Sequence, residues 1–121
     1  MAIEGFEDIE CWKFTRILVH EVLSHTSKGR FDHFKSLKWQ LQSAALSVMR
    51  NIAEGFDRFH PKERLLFLNY SAGSCGEVCS MLHVCLDLGI ISTDDFESLV
   101  DRVRSTQRLT VGLIRHIRNS R

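Results

Sequence analysis

The chain has 121 residues, of which 44% are hydrophobic and 26% charged, with a formal net charge of +1. That length supports one domain, residues 1–121, around one apolar core, and the composition excludes the disordered and membrane-embedded classes. The charge is unevenly spread: Leu65 to Val100 holds five acids and no Lys or Arg, whereas Asp101 to Arg121 holds six arginines against one acid.

The opening "MAIEGFEDIECW" is acidic and lacks both a basic n-region and an apolar h-region. No secretory signal or membrane span is expected, and the expected compartment is the cytoplasm. Helical periodicity then runs almost throughout, and no stretch alternates with period two. Helix 1 is predicted from about Asp8 to His25. Its apolar residues Cys11, Trp12, Phe14, Leu18, Val19, Val22 and Leu23 cover an arc of roughly 180°, more than one bundle core requires. The surplus predicts contact with something outside the helix's own bundle.

Helix 2 is predicted from about Phe34 to Arg58, with Leu37, Leu41, Ala44, Ala45, Val48, Met49, Ile52 and Phe56 facing the core. Beside that face runs a polar stripe, Gln40, Ser43, Ser47, Asn51, Glu54 and Arg58, whose spacing keeps it on one side of the helix. Helix 3 starts at Pro61, where the missing N–H has no partner to lose, and is closed near Leu88 by Gly89. Its middle, "SAGSCGEVCS", is rich in small residues. Gly73 and Gly76 each cost about 0.5–1 kcal/mol relative to Ala inside a helix, which a closely packed neighbouring helix would offset. Helix 4 follows "ISTDD", with Ser92 or Thr93 as cap and Asp94, Asp95 and Glu97 at the positive dipole end, and runs to about Arg118.

Four long helices with short connections predict an all-α, antiparallel up-down-up-down four-helix bundle. Folding helix 2 back on helix 3 brings Ser47 near Gly73 and Ser74, and Gln40 and Ser43 near Glu77. Buried polar groups need partners. Gln40, Ser47, Asn51, Glu54, Arg58, Ser74 and Glu77 are therefore expected to form a hydrogen-bonded seam, with Asn51, Glu54, Ser74 and Glu77 substantially buried. Gly55 either ends helix 2 or admits a neighbour.

Cys75, Cys79 and His83 recur every four residues, which is the periodicity of a core face, and no fourth metal ligand is evident. The four cysteines, Cys11, Cys75, Cys79 and Cys85, read as buried free thiols. Glu54 and Glu77 could be paired carboxylates for acid–base chemistry, but structural partners for Ser, Asn or Arg are the simpler assignment. No phosphate-binding glycine loop or nucleophile elbow occurs. Neither an enzyme activity nor a cofactor or metal is expected.

"LQSAALSVMRNIAEGFDRF" followed by "KERLLFLNYSAGSCGEV" resembles the signature of the small bundle proteins encoded in intervening sequences of bacterial 23S ribosomal RNA genes. Gln40, Ser47, Asn51, Ile52, Ala53, Glu54, Gly55, Arg58, Gly73, Ser74 and Glu77 occupy the motif positions, and "F-x-D-I-x-x-W" and "LGIIS" also match. His60 stands where the family usually has Ser or Thr, which removes a capping box at the start of helix 3. The resemblance implies a four-helix bundle assembled into a homo-oligomeric ring, a pentamer. It also implies kinship with the accessory subunit of diversity-generating retroelements, a basic pentameric bundle that binds nucleic acid and a reverse transcriptase.

On helix 4, taking Arg102 as zero, Arg104, Arg108, Arg115 and Arg118 fall at about 200°, 240°, 220° and 160°. Val103, Leu113, Ile114 and Ile117 lie between about 20° and 120°. The four guanidinium groups are expected to form one stripe suited to RNA or DNA backbone. A solvated face is the plainer reading. The competing function is a protein-interaction scaffold that binds no nucleic acid, which the near-neutral net charge favours.

Overall fold

The computed structural model describes residues 3–120. A 3-10 turn at Phe6–Asp8 leads into α1 (Glu10–Thr26), and a second at Gly29–Phe31 leads into α2 (Lys35–Phe56). Then come α3 (Pro61–Asp87) and α4 (Thr93–Asn119). Among the described residues there is no strand. The fold is all-α.

Local chemistry sets the helix ends. α1 begins two residues later than expected, because Phe6–Asp8 winds as a 3-10 turn and Ile9 is extended. α2 stops at Phe56, two residues before Arg58. At the end of α3, Gly89 has φ 70°, the left-handed conformation that glycine adopts without a Cβ penalty. Its N–H donates to Leu86 O at 3.0 Å, and the N–H of Ile90 donates to Cys85 O at 3.1 Å. This is a Schellman termination, and it drives Ile90 into the core. Ser92 caps α4, its Oγ accepting from the Asp95 N–H at 3.0 Å.

α1 packs on α2 and α4, and α3 packs on α2 and α4, so α1 and α3 stand at opposite corners of a bundle. Leu18, Val22, Leu41, Val48, Ile52, Val78, Leu82, Leu99 and Val103 are fully buried between them, and Phe31 plugs the core beneath the α1–α2 connection. Each such aliphatic side chain contributes about 1.5–3 kcal/mol on burial. Four threonines also lie in the core, Thr15, Thr26, Thr106 and Thr110. Each hydroxyl donates to the carbonyl four residues earlier, so none is left unsatisfied. Thr26 Oγ1 additionally accepts from Gln42 Nε2 at 2.8 Å, and Gln107 Nε2 reaches Ala72 O at 3.1 Å. At one end of the bundle Ile9, Ile52, Phe56, Arg64, Leu68, Leu113 and Ile117 line a common cavity of about 170 Å³.

The glycines divide into two kinds. A Cβ on Gly55 would lie 3.3 Å from both Arg64 O and Phe67 Cβ, so this glycine admits α3 and does not end α2. Gly73 and Gly76 were expected to admit a neighbouring helix, and none of the described helices of this chain approaches them. Both are exposed, with nothing within 4 Å of a built Cβ, because α3 buries its Ser71, Cys75, Val78 and Leu82 side instead.

Candidate nucleic-acid interface

α4 turns Leu99, Val103, Thr106, Thr110 and Ile114 into the core, which leaves Arg104, Arg108, Arg115 and Arg118 on its outer side. All four are exposed. Among the described residues none of them forms an ion pair, and the only side-chain bond among them is Arg108 Nη2 to Ser105 Oγ at 3.1 Å. Arg102 is different: its Nε donates to Glu21 Oε2 at 3.0 Å, tying α4 to α1. Arg104 to Arg118 spans about 21 Å at 1.5 Å per residue. Phe14, Ser105, Arg108 and Leu109 border a shallow depression beside the stripe. Such a row can offer several bidentate phosphate contacts along one strand.

The polar seam is only partly an interior feature. Ser74 is buried, and its hydroxyl lies 2.8 Å from that of Ser47 across the α2–α3 junction. Ser71 Oγ donates to Val48 O at 2.8 Å in the same junction, a contact that the seam as read from sequence did not include. Asn51 is half-buried and turns back on its own helix, donating to Ser47 O at 2.9 Å and Ser47 Oγ at 3.0 Å. Glu54 pairs with Arg58 one turn later, and the Arg58 guanidinium lies 4.8 Å from the Phe67 ring centroid. The Arg58 Nε is buried without a partner.

Gln40 and Glu77 depart from expectation. Glu77 is exposed, as is Gln40, whose Nε2 donates to Ser36 Oγ at 3.1 Å. Both line an open groove with Trp39, Ser43, Ser47 and Arg50. Their spacing brings them together as predicted, but on the outer edge of the α2–α3 junction, where a carboxylate keeps its hydration. Sequence reasoning also missed a groove of about 580 Å³ beside α1, lined by Glu7, Trp12, Lys13, Arg16, Ile17 and His20, with Lys13 paired to Glu10 at 3.5 Å. The spacing of three and four in Lys13, Arg16 and His20 could have found it.

All four cysteines are free, with Cys11, Cys75 and Cys85 buried. Burial pushes the Cys75 thiol up to about 12 and Cys85 up to about 11, and it also raises Cys11. His83 packs its ring edge-on against Phe96, centroids 4.9 Å apart. Its imidazole therefore serves the α3–α4 contact.

The chain matches the 23S rRNA-intervening sequence protein family over residues 7–112 and belongs to that family. A crystal structure of a protein of unknown function from the S23 ribosomal protein family of Bacteroides thetaiotaomicron superposes with a TM-score of 0.68 at 15% identity. The match covers 84% of this chain and 98% of that one, and it establishes likeness of fold. No curated protein sequence matches the chain. No helix of the described residues is long and apolar enough to cross a membrane.

Proposed function

We propose that this protein is a non-enzymatic, homo-oligomeric nucleic-acid-binding module, an accessory of a cytoplasmic ribonucleoprotein, which grips RNA or DNA backbone through Arg104, Arg108, Arg115 and Arg118. The observation that carries the reading is the exposure of all four arginines with no carboxylate partner among the described residues. A structural role for them would normally leave at least some paired. Their chain repeats once per subunit in an oligomer, so a positive band forms that one chain's net charge of +1 conceals. Contact is to phosphates, without readout of base sequence.

The helices run up-down-up-down in this reading. Its support is the end cavity, where Ile9, the residue just before α1, and the early turns of α3 meet the last turns of α2 and α4. Support for assembly comes from apolar side chains left outside, Ile17 and Leu23 on α1 and Leu66, Tyr70 and Val84 on α3, with Leu88 just past its end. The family resemblance adds the number five, and the kinship it implies with retroelement accessory subunits adds nucleic acid as a partner.

The second reading is a protein-interaction scaffold with no nucleic-acid ligand. It is favoured by the near-neutral charge and by the dipole at the end of α4, which suits Arg118 without any ligand. Purification from cells with and without nuclease separates the two. The proposal expects an absorbance ratio that falls on nuclease treatment, and rebinding of a single-stranded RNA probe that is lost in Arg108→Glu/Arg115→Glu. A nucleic-acid-free protein that ignores the probe at low salt would establish the scaffold.

A further inference from the structure

The cavity of about 170 Å³ at the end of the bundle includes none of the four outer arginines in its wall. Three of its residues, from separate segments, are buried: Ile9 ahead of α1, Ile52 on α2 and Leu68 on α3. Half-buried Phe56, Leu113 and Ile117 complete the wall, and Ile3, 53% exposed, marks where it meets solvent. Arg64 is the only charged residue of the lining, and its Nε already donates to Arg58 O at 2.5 Å. Among the described residues the one buried side-chain polar atom without a partner is Arg58 Nε, and Arg58 is not part of this wall.

Closely packed interiors hold few voids larger than a water molecule. A void of this size forfeits contacts that a larger side chain in the wall would restore. Water does not replace them well, because an ordered water needs two to four polar partners and the side chains here offer only Arg64. Nor can α2 and α3 close on the space. Beside it a Cβ on Gly55 would already lie 3.3 Å from Arg64 O and Phe67 Cβ, so the two helices touch at their limit. An apolar cavity of about 150 Å³ lined by Leu, Ile and Phe stays dry and takes up benzene. Size and lining both agree with that case. A charged molecule, by contrast, would lose its hydration on entry, with one guanidinium at most to compensate an anion.

We infer that the end cavity binds one compact, neutral, apolar molecule of about the size of a single aromatic ring. Seated there it touches α2, α3, α4 and the residue ahead of α1 together, so it binds the folded chain and ties the end of the bundle. The inference does not depend on nucleic-acid binding, and its test uses none. Toluene is titrated into the full chain by isothermal calorimetry, with benzoate as the charged probe. Toluene is expected to bind at one site per chain with a negative heat-capacity change, and to raise the unfolding temperature as its concentration rises. Benzoate is expected to do neither. In the unsubstituted chain toluene should shift the methyl NMR signals of Ile52, Leu113 and Ile117 and leave those of exposed Val84 in place. Leu113→Phe and Ile117→Phe each carry bulk into the cavity and should weaken toluene binding by about tenfold or more, with helical circular dichroism unchanged. The NMR measurement decides the location even where a substituted chain fails to fold. Absence of toluene binding would overturn the inference. Shifts confined to methyls outside the wall, or unaltered affinity in a folded Phe variant, would also overturn it by moving the molecule to another surface. Benzoate binding as tightly as toluene would overturn it by making the ligand an anion.

Discussion

Ser47 Oγ and Ser74 Oγ lie 2.8 Å apart across the α2–α3 junction, and Ser47 also accepts from Asn51 Nδ2 at 3.0 Å. Ser74 is buried, so its hydroxyl depends on this one side-chain partner. Ser47→Ala should therefore cost about 1–2 kcal/mol, the usual consequence of stranding a buried hydroxyl. Removing both hydroxyls should cost less than the sum of the single changes, since each single change already breaks the shared bond. Urea unfolding of the two single variants and the double variant closes the cycle. Strict additivity would mean that the hydroxyls do not interact.

Two glycines provide opposite outcomes from one substitution. Gly112→Ala on α4 adds a methyl group into open space and should stabilise by about 0.5–1 kcal/mol through helix propensity. Gly55→Ala has the same propensity gain, yet its Cβ meets the Arg64 carbonyl and Phe67 Cβ at 3.3 Å. Neither neighbour is the far end of a flexible side chain, so α3 must move and the change should cost about 1–3 kcal/mol as overpacking does. Thermal unfolding of the pair measures the difference in sign. A stabilised Gly55→Ala variant would show that α3 is not held against α2 there.

The helices themselves were legible because apolar spacing, Pro61, Gly89 and Ser92 are local signals that tertiary packing reinforces. Ser47 opposite Ser74 was also legible, from matching one polar stripe to another. What the sequence left undetermined was depth. Glu77 lies three residues beyond Ser74, which is about 60° further round the helix, and that rotation takes it from the junction to the outside. Likewise "SAGSCGEVCS" announces a close approach without saying whether the approaching helix belongs to the same chain. The arginine stripe was visible as a periodicity, and its freedom from acids was not, because Glu21 is 81 residues from the Arg102 it binds.

The thiols give a pH signature. Cys75 is raised by burial from 9.0 to about 12 in the folded chain, so the folded state holds its proton where the unfolded state has lost it. The corresponding stability is fully present below pH 9 and is lost as pH rises from about 9 through about 12, the unfolded state binding fewer protons throughout that window. Cys85, raised to about 11, acts in the same direction. Denaturation midpoints should fall across this range more steeply than in a Cys75→Ala variant, which begins less stable and lacks that slope. Iodoacetamide at pH 8 should label Cys75 and Cys85 only under unfolding conditions, because the thiolate is the reactive species. Rapid labelling of the native protein would contradict the assignment.

Arg102 and the outer arginines should separate cleanly. Arg102 is about one-third exposed and pairs with Glu21 across α1 and α4, so Arg102→Gln should lower stability modestly, by about 0.5–1 kcal/mol after solvent screening. It should leave affinity for RNA unchanged, because this side chain points at α1. Arg108→Gln and Arg115→Gln have no ion pair to break and should leave unfolding unaltered. Each should instead weaken RNA binding and reduce the salt dependence. A plot of log affinity against log salt for a single strand has a slope near −0.7 per phosphate neutralised, so each lost contact should flatten it by about that amount. Fluorescence anisotropy of a labelled single-stranded RNA, taken from 25 to 200 mM salt for all four proteins, reads both quantities at once. Equal slopes in wild type and the outer variants would remove α4 from the interface, and an affinity loss confined to Arg102→Gln would move the site to the α1–α4 junction.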